Sequence, residues 1–198
     1  MIHFSIAYRL YNNYPSASFV LGSVAPDAVL VRHNDKSGKL KSHLVRGSGQ
    51  HPEIQDLIDF VKTNLTDHNN DRRDFLFGYA SHIYADLKWV ELKNEVSNHD
   101  GSLRRLLWQE ENQLDYLLYR SIAWTDRLKA DIMRSPLFEV EGLYRIDELD
   151  KWRNRIFEWL DDPSNEPGIV NTYIEESMAD RFIGNIAREI SELETMLI

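Results

Sequence analysis

The sequence predicts an all-α fold: a single-domain multi-helix bundle spanning residues 1–198. Three observations carry this. Apolar residues recur at helical spacing in one segment after another. No set of alternating apolar and polar residues marks strands. No repeat or low-complexity tract interrupts the pattern. A chain of 198 residues can bury a sizeable core. Its 42% hydrophobic and 28% charged residues are the balance of an ordinary globular protein.

Taken in order, the segments predict six or seven helices. Residues 2–12 place Ile2, Ile6 and Leu10 at helical spacing. Residues 15–24 form a short helix with Pro15 at its start, where proline is tolerated, and Ala25-Pro26-Asp27 breaks it. Residues 32–50 are rich in Gly, Ser, Lys and Asn and read as an exposed loop. Residues 52–65 are amphipathic, with Ile54, Leu57, Ile58, Val61 and Leu65 on one stripe. Residues 67–71 are a polar turn leading into the central helix, 71–96. Its first turn carries Asp71 and Asp74, which suits the positive end of the helix dipole. Residues 98–101 turn, and 103–133 continue as one long helical pattern. Residues 136–146 are irregular, with 138–144 able to be extended. Helices at 148–160 and 170–197 close the chain.

Composition excludes several function classes. The formal net charge of −9 argues against broad electrostatic binding to nucleic acid or to an anionic membrane surface. A small anionic substrate stays possible, because a bound divalent ion reverses the local field. With no cysteine, any zinc must be held by His and carboxylates. No apolar run approaches the roughly 20 residues of a transmembrane helix, and the N-terminus does not read as a signal peptide. The default compartment is therefore the cytoplasm.

The chemistry concentrates in the central helix. His82 and Asp86 stand four residues apart in its most apolar stretch, so both leave one face. An unpaired buried carboxylate is costly, so Asp86 is expected to be paired, hydrogen-bonded or metal-bound. Imidazole and carboxylate are ordinary zinc ligands; a plain His–Asp hydrogen bond also fits this spacing. Asp27 follows a helix that Pro26 stops abruptly. It either caps the next turn or presents a carboxylate from a rigid helix end. His3, in the first turn of the first helix, and His43, in the Lys- and Gly-rich loop, carry little signal singly.

As a set these residues resemble a known family. Phe19-Val-Leu-Gly-Ser-Val-Ala-Pro-Asp27, Lys41-Ser-His43 and Phe77-Gly-Tyr-Ala-Ser-His-Ile-Tyr-Ala-Asp86, with His3 near the start, are similar to the zinc-dependent phospholipase C family, most of all its small bacterial members. The motifs cover roughly the N-terminal half. The resemblance implies the helical phospholipase C / P1 nuclease fold. It also implies zinc, as one or two ions, or another divalent metal. Asp27, His43, His82 and Asp86 would surround the first ion, and Asp86 would bridge to a second that takes His3. Two such ions about 3.5–4 Å apart polarise a phosphoryl oxygen and activate a water between them. Asp27 would orient that water or take its proton. The implied activity is hydrolysis of a small phosphoester or a phospholipid head group.

This chain departs from the secreted phospholipases C in two ways. Those enzymes ligate a metal through an amino-terminal Trp, whereas this chain begins with Met1. They also hold a third metal with further His residues, but residues 87–98 contain no His and none follows His99. That third site is expected to be absent or rebuilt from carboxylates. Glu110, Glu111 and Asp115 lie at helical spacing and are expected on a solvated face, or, in a functional role, at the mouth of the site. His33 is the weaker alternative to His43. His51 reads as a helix-entry residue, His68 as a solvated turn residue, and His99-Asp100 as a turn rather than a helical metal pair. Trp89, Trp108 and Trp124 read as core, and Trp152 and Trp159 share a face expected to pack against the last helix. The competing function is a non-catalytic module that keeps a metal or His–Asp network for structure and binds a protein through its C-terminal helices.

Overall fold

The computed structural model describes residues 1–33, 35–47, 49–65 and 68–196. Among these are nine α-helices and no strand: α1 (Ile2–Leu10), α2 (Ala17–Gly22), α3 (Lys36–Ser42), α4 (Ile54–Asn64), α5 (Asn70–Val96), α6 (Arg104–Ser121), α7 (Thr125–Arg134), α8 (Ile146–Asp161) and α9 (Glu176–Thr195). Short 3-10 helices lie at Ala25–Val31, Gly101–Leu103 and Pro163–Asn165. The all-α class is as the periodicity predicts. The two helices beyond seven are α3 and the one made by a split in 103–133.

The helix α5 is the axis of the molecule. Its residues Phe75 to Ala85 are buried without interruption, so it is enclosed on all sides rather than amphipathic. α2 crosses it at very short range. A Cβ built on Gly22 would lie 2.1 Å from the Phe75 carbonyl oxygen, and one on Gly78 would lie 2.3 Å from that of Phe19. Both positions therefore require glycine, each helix pressing its backbone against the other. α1 lies across α9 and reaches both α2 and α5. One buried apolar cluster joins residues of every α-helix except α3.

Several predicted boundaries move, each for a local reason. α1 stops at Leu10 because Asn12 and Asn13 take left-handed conformations (φ 49° and 69°). α2 starts after Ser16, whose extended backbone lets its Oγ accept the Phe19 N–H at 3.2 Å; Pro15 stands outside the helix. The proposed loop at 32–50 contains α3, started by the Asp35 carboxylate accepting the Gly38 N–H at 2.7 Å. The α5 N-cap is Asn69, and Asp71 sits in the first turn, whereas Asp74 lies beyond it. The start of the polar turn at Asp67 lies outside the described residues.

The long pattern at 103–133 breaks at Ile122, which is extended (φ −82°, ψ 136°). The break turns α7 onto α1, where Trp124 stacks on Tyr8 at 3.8 Å and the Tyr8 hydroxyl donates to Asp131 at 2.8 Å. The stretch 138–144 is held by a single bridge between Val140 and Tyr144. The last helix starts at Glu176, not at residue 170; its predicted end at Leu197 lies outside the described residues. Glu110 explains the late start. It is 0% exposed, neither on a solvated face nor at the site. Its carboxylate accepts the backbone N–H groups of Thr172 (2.9 Å), Tyr173 (2.9 Å) and Ile174 (2.8 Å) and the Thr172 hydroxyl (2.8 Å). Those donors would be unavailable to a helix running through them.

Two outcomes follow for stability. Gly78→Ala forces the α2–α5 backbones apart, and chemical denaturation is expected to show a loss of about 3 kcal/mol, the upper range for overpacking. Glu110→Ala leaves three buried N–H groups without an acceptor and is expected to cost about 3 kcal/mol by the same measurement. A surface change such as Glu158→Gln should move the midpoint by less than about 0.5 kcal/mol.

Candidate metal centre

Four elements bring the five predicted side chains together. α5 supplies His82 and Asp86 from one face. Because α2 is pressed against α5, the Ser23 carbonyl at its end lies 2.9 Å from His82 Nδ1. The 3-10 helix that follows carries Asp27 in its first turn. His43 is the C-cap of α3, and its Nδ1 lies 2.9 Å from the Lys39 carbonyl and 3.1 Å from Ser42 Oγ. The Tyr79 hydroxyl ties that helix end to α5 by donating to the Ser42 carbonyl at 2.6 Å. α1 lays the His3 ring on that of His82, centroids 3.9 Å apart and planes 19° apart.

The polar atoms converge. Asp86 Oδ1 lies 3.2 Å from His3 Nε2, and its Oδ2 lies 3.4 Å from His43 Nε2 and 3.5 Å from His82 Nε2. Asp27 Oδ1 is 3.6 Å from His43 Nε2, and Oδ2 is 3.9 Å from His82 Nε2. The two Nε2 atoms of His43 and His82 face each other at 3.3 Å. Both rings must use Nδ1–H against a backbone carbonyl, which assigns the tautomer. In the neutral rings both Nε2 atoms are therefore lone pairs, pointing at each other and at carboxylate oxygens. Such an arrangement is stable only around a cation, either a proton or a metal ion. Two triads have ligand atoms within 4.8 Å of one another: His3, His82 and Asp86, and Asp27, His43 and His82. The donor set of imidazole and carboxylate suits zinc, and His3 Nδ1 is buried with no partner.

The electrostatics of the protein without an ion agree with this geometry. Burial works against the charged form of Asp86, but His82 and the hydrogen bonds from His3, His43 and His82 hold it well below the usual carboxylate range. Burial likewise opposes the Asp27 charge, and His82, Lys39 and His43 overcome it. Burial would lower His82, yet Asp86 and Asp27 raise it above an ordinary imidazole. His3 is lowered by burial and by His82. Lys39 was not foreseen: its Nζ lies 3.2 Å from Asp27 Oδ1.

A cavity of ≈850 Å³ opens over this cluster, with His3, Asp27 and Asp86 at its floor. α6 lines one side with Trp108, Glu111, Asn112 and Asp115, and α8 another with Trp152, Ile156 and Trp159. Glu111 and Asp115 thus reach the mouth, as their functional reading expects, while Glu110 does not. Glu111 accepts from the Trp89 indole and from Lys93 (2.7 Å), and Asp115 from the Met1 amino group. Trp108 is not core but 60% exposed on the rim. The Trp152–Trp159 face was legible in the seven-residue spacing, but α8 lies on the Ala25–Val31 helix, α6 and α7, and turns that face to the cavity. His33, His51, His68 and His99 are exposed and stand outside the cluster.

A helical fold with a buried His/Asp cluster at the floor of a cavity defines a class of metal-binding proteins. Residues 2–133 match the family described as zinc dependent phospholipase C, and the chain belongs to that family. No curated protein and no solved structure matches it. Among the described residues no helix is long and apolar enough to cross a membrane. The family match ends before α8, so one wall of the cavity comes from outside the matched residues.

The cluster sets a pH response. Asp27 and Asp86 have folded-state pKa values below those of the unfolded chain, so they contribute stability above the unfolded value of about 4. That contribution is lost as pH falls through the depressed folded values. Metal-free protein should therefore show a falling thermal midpoint below about pH 4. Asp86→Asn should flatten that acid limb, and an unchanged limb would show that the cluster does not govern it.

Proposed function

We propose that the protein is a zinc-dependent phosphoesterase whose metal centre is Asp27, His43, His82, Asp86 and His3. The observation that carries this is the convergence of imidazole lone pairs and carboxylates on the cavity floor, in a chain of the zinc dependent phospholipase C family. His82 has a single free nitrogen, since Nδ1 is engaged by Ser23; it can serve one ion only. Asp86 turns its two oxygens in different directions, Oδ1 to His3 and Oδ2 to His43 and His82. It is therefore the residue able to serve two ions, with Asp27, His43 and His82 on one side and His3 on the other.

Bound zinc supplies Lewis-acid polarisation of the phosphoryl oxygen and a water of lowered pKa. The chain's own residues do the rest. Asp27, ionised and at the cavity floor, accepts a hydrogen bond from the attacking water and orients it. Lys39 holds the outer oxygen of that carboxylate, so its direction is set from the side away from the imidazoles. In the overall reaction the water oxygen bonds to phosphorus, the ester P–O bond breaks, and the proton ends on the leaving oxygen. The substrate is a small phosphoester, free or as a phospholipid head group, and the cavity volume accommodates either.

The expected outcome is that purified protein carries zinc by mass spectrometric metal analysis, and that chelation abolishes hydrolysis of p-nitrophenyl phosphoesters until zinc is restored. Asp27→Asn should lower kcat by about a hundredfold, a typical general-base contribution, with a fold intact by circular dichroism. His82→Ala should lose zinc and turnover. A parent protein that binds zinc, turns over no phosphoester and unfolds on His82→Ala would be a structural metal module instead.

A further inference from the structure

The walls of the cavity carry chemistry that the reaction at its floor does not use. Trp108 on α6 has its indole free of any ring or hydrogen-bond partner among the described residues. On α8, Trp152 is fixed by its Nε1–H donating to the Val24 carbonyl at 2.9 Å, and Trp159 packs on Tyr116 with centroids 4.9 Å apart. These are large, rigid faces set on helices, a form suited to binding a ring. Polar groups stand between them. Asn112 and Ser164 have side chains without a protein partner, and Glu111 lines the same space.

Three kinds of organic group could occupy such a space. An acyl chain would strip water from Asn112, Ser164 and Glu111 and replace it with nothing, which is costly. An organic cation needs an unmet negative charge, but Lys93 already pairs with Glu111 at 2.7 Å. A hydroxylated ring satisfies both sets of groups. Its C–H faces lie on indole, and its hydroxyls donate to the carboxylate and exchange hydrogen bonds with the amide and hydroxyl.

We propose that the space between α6 and α8 is a subsite for a hydroxylated ring, a sugar or a cyclitol, joined to the phosphate acted on at the floor. This rests on the phosphoesterase reading above. It places much of substrate choice on α8, outside residues 2–133 that match the family.

The test compares kcat/KM of zinc-loaded protein for glucose phosphate and inositol phosphate against glycerol phosphate, with p-nitrophenyl esters as generic substrates. Vesicles of phosphatidylcholine holding phosphatidylinositol or phosphatidylglycerol make the same comparison for a lipid-borne ring. Ring esters, free or lipid-borne, are expected to exceed their glycerol counterparts by about tenfold or more. Trp108→Ala and, separately, Trp159→Ala should bring that ratio toward one. A ratio near one in the parent, or one unmoved by both variants, overturns the ring subsite and leaves the phosphoesterase reading standing. No turnover of any ester, the generic ones included, overturns the phosphoesterase reading and the subsite with it.

Discussion

The backbone contact between α2 and α5 is the constraint on which the rest depends. Gly22 and Gly78 let the two helices meet with carbonyl oxygens where side chains would otherwise stand. That closeness brings the end of α2 over His82, so the Ser23 carbonyl can receive its Nδ1–H. It also fixes where the chain leaves α2, and so where the Ala25–Val31 turn delivers Asp27. Any side chain at either crossing position would lift α2 away and carry Asp27 and Ser23 with it. The metal centre is in this sense built by two absent side chains.

The second organising force is electrostatic. Two carboxylates and three imidazoles share a pocket in which burial opposes every charge. The arrangement holds because each group is the partner of another and because backbone carbonyls dictate which imidazole nitrogens stay free. A metal ion replaces the proton on His82 and meets both carboxylates at once. Holding such a site without an ion leaves opposing lone pairs at close range, so zinc and fold are coupled.

Much of this could be read in the sequence, because the decisive signals are local. His82 and Asp86 are one helical turn apart, and Pro26 marks the break that presents Asp27. The residues drawn together at the site are the ones the motifs single out. What escaped prediction depends on distant partners. α3 is short and polar, and it is helical because Asp35 caps it and Tyr79 anchors its end. Glu110 looks like any helix-surface carboxylate until residues 172–174 arrive to use it. The Trp152–Trp159 stripe has the spacing of a core face, and spacing cannot tell a face turned to a neighbouring helix from one turned to a cavity. Lys39 had no signal at all, since its role comes from the fold bringing it to Asp27.

The anchorage of α8 has a consequence for how the molecule divides. Arg32 grips Glu148 with Nε at 2.6 Å and Nη2 at 2.7 Å, Trp152 bonds to the Val24 carbonyl, and Arg155 donates to that of Leu30 at 3.1 Å. These tethers clasp both ends of the turn that carries Asp27. The limit of shared ancestry at residue 133 is therefore not a limit of mechanical independence. Residues 2–133 cut free would keep the ligands in their sequence but lose the brace that aims one of them. A graft of the metal-binding half onto another scaffold would need a substitute for α8 to work as a centre.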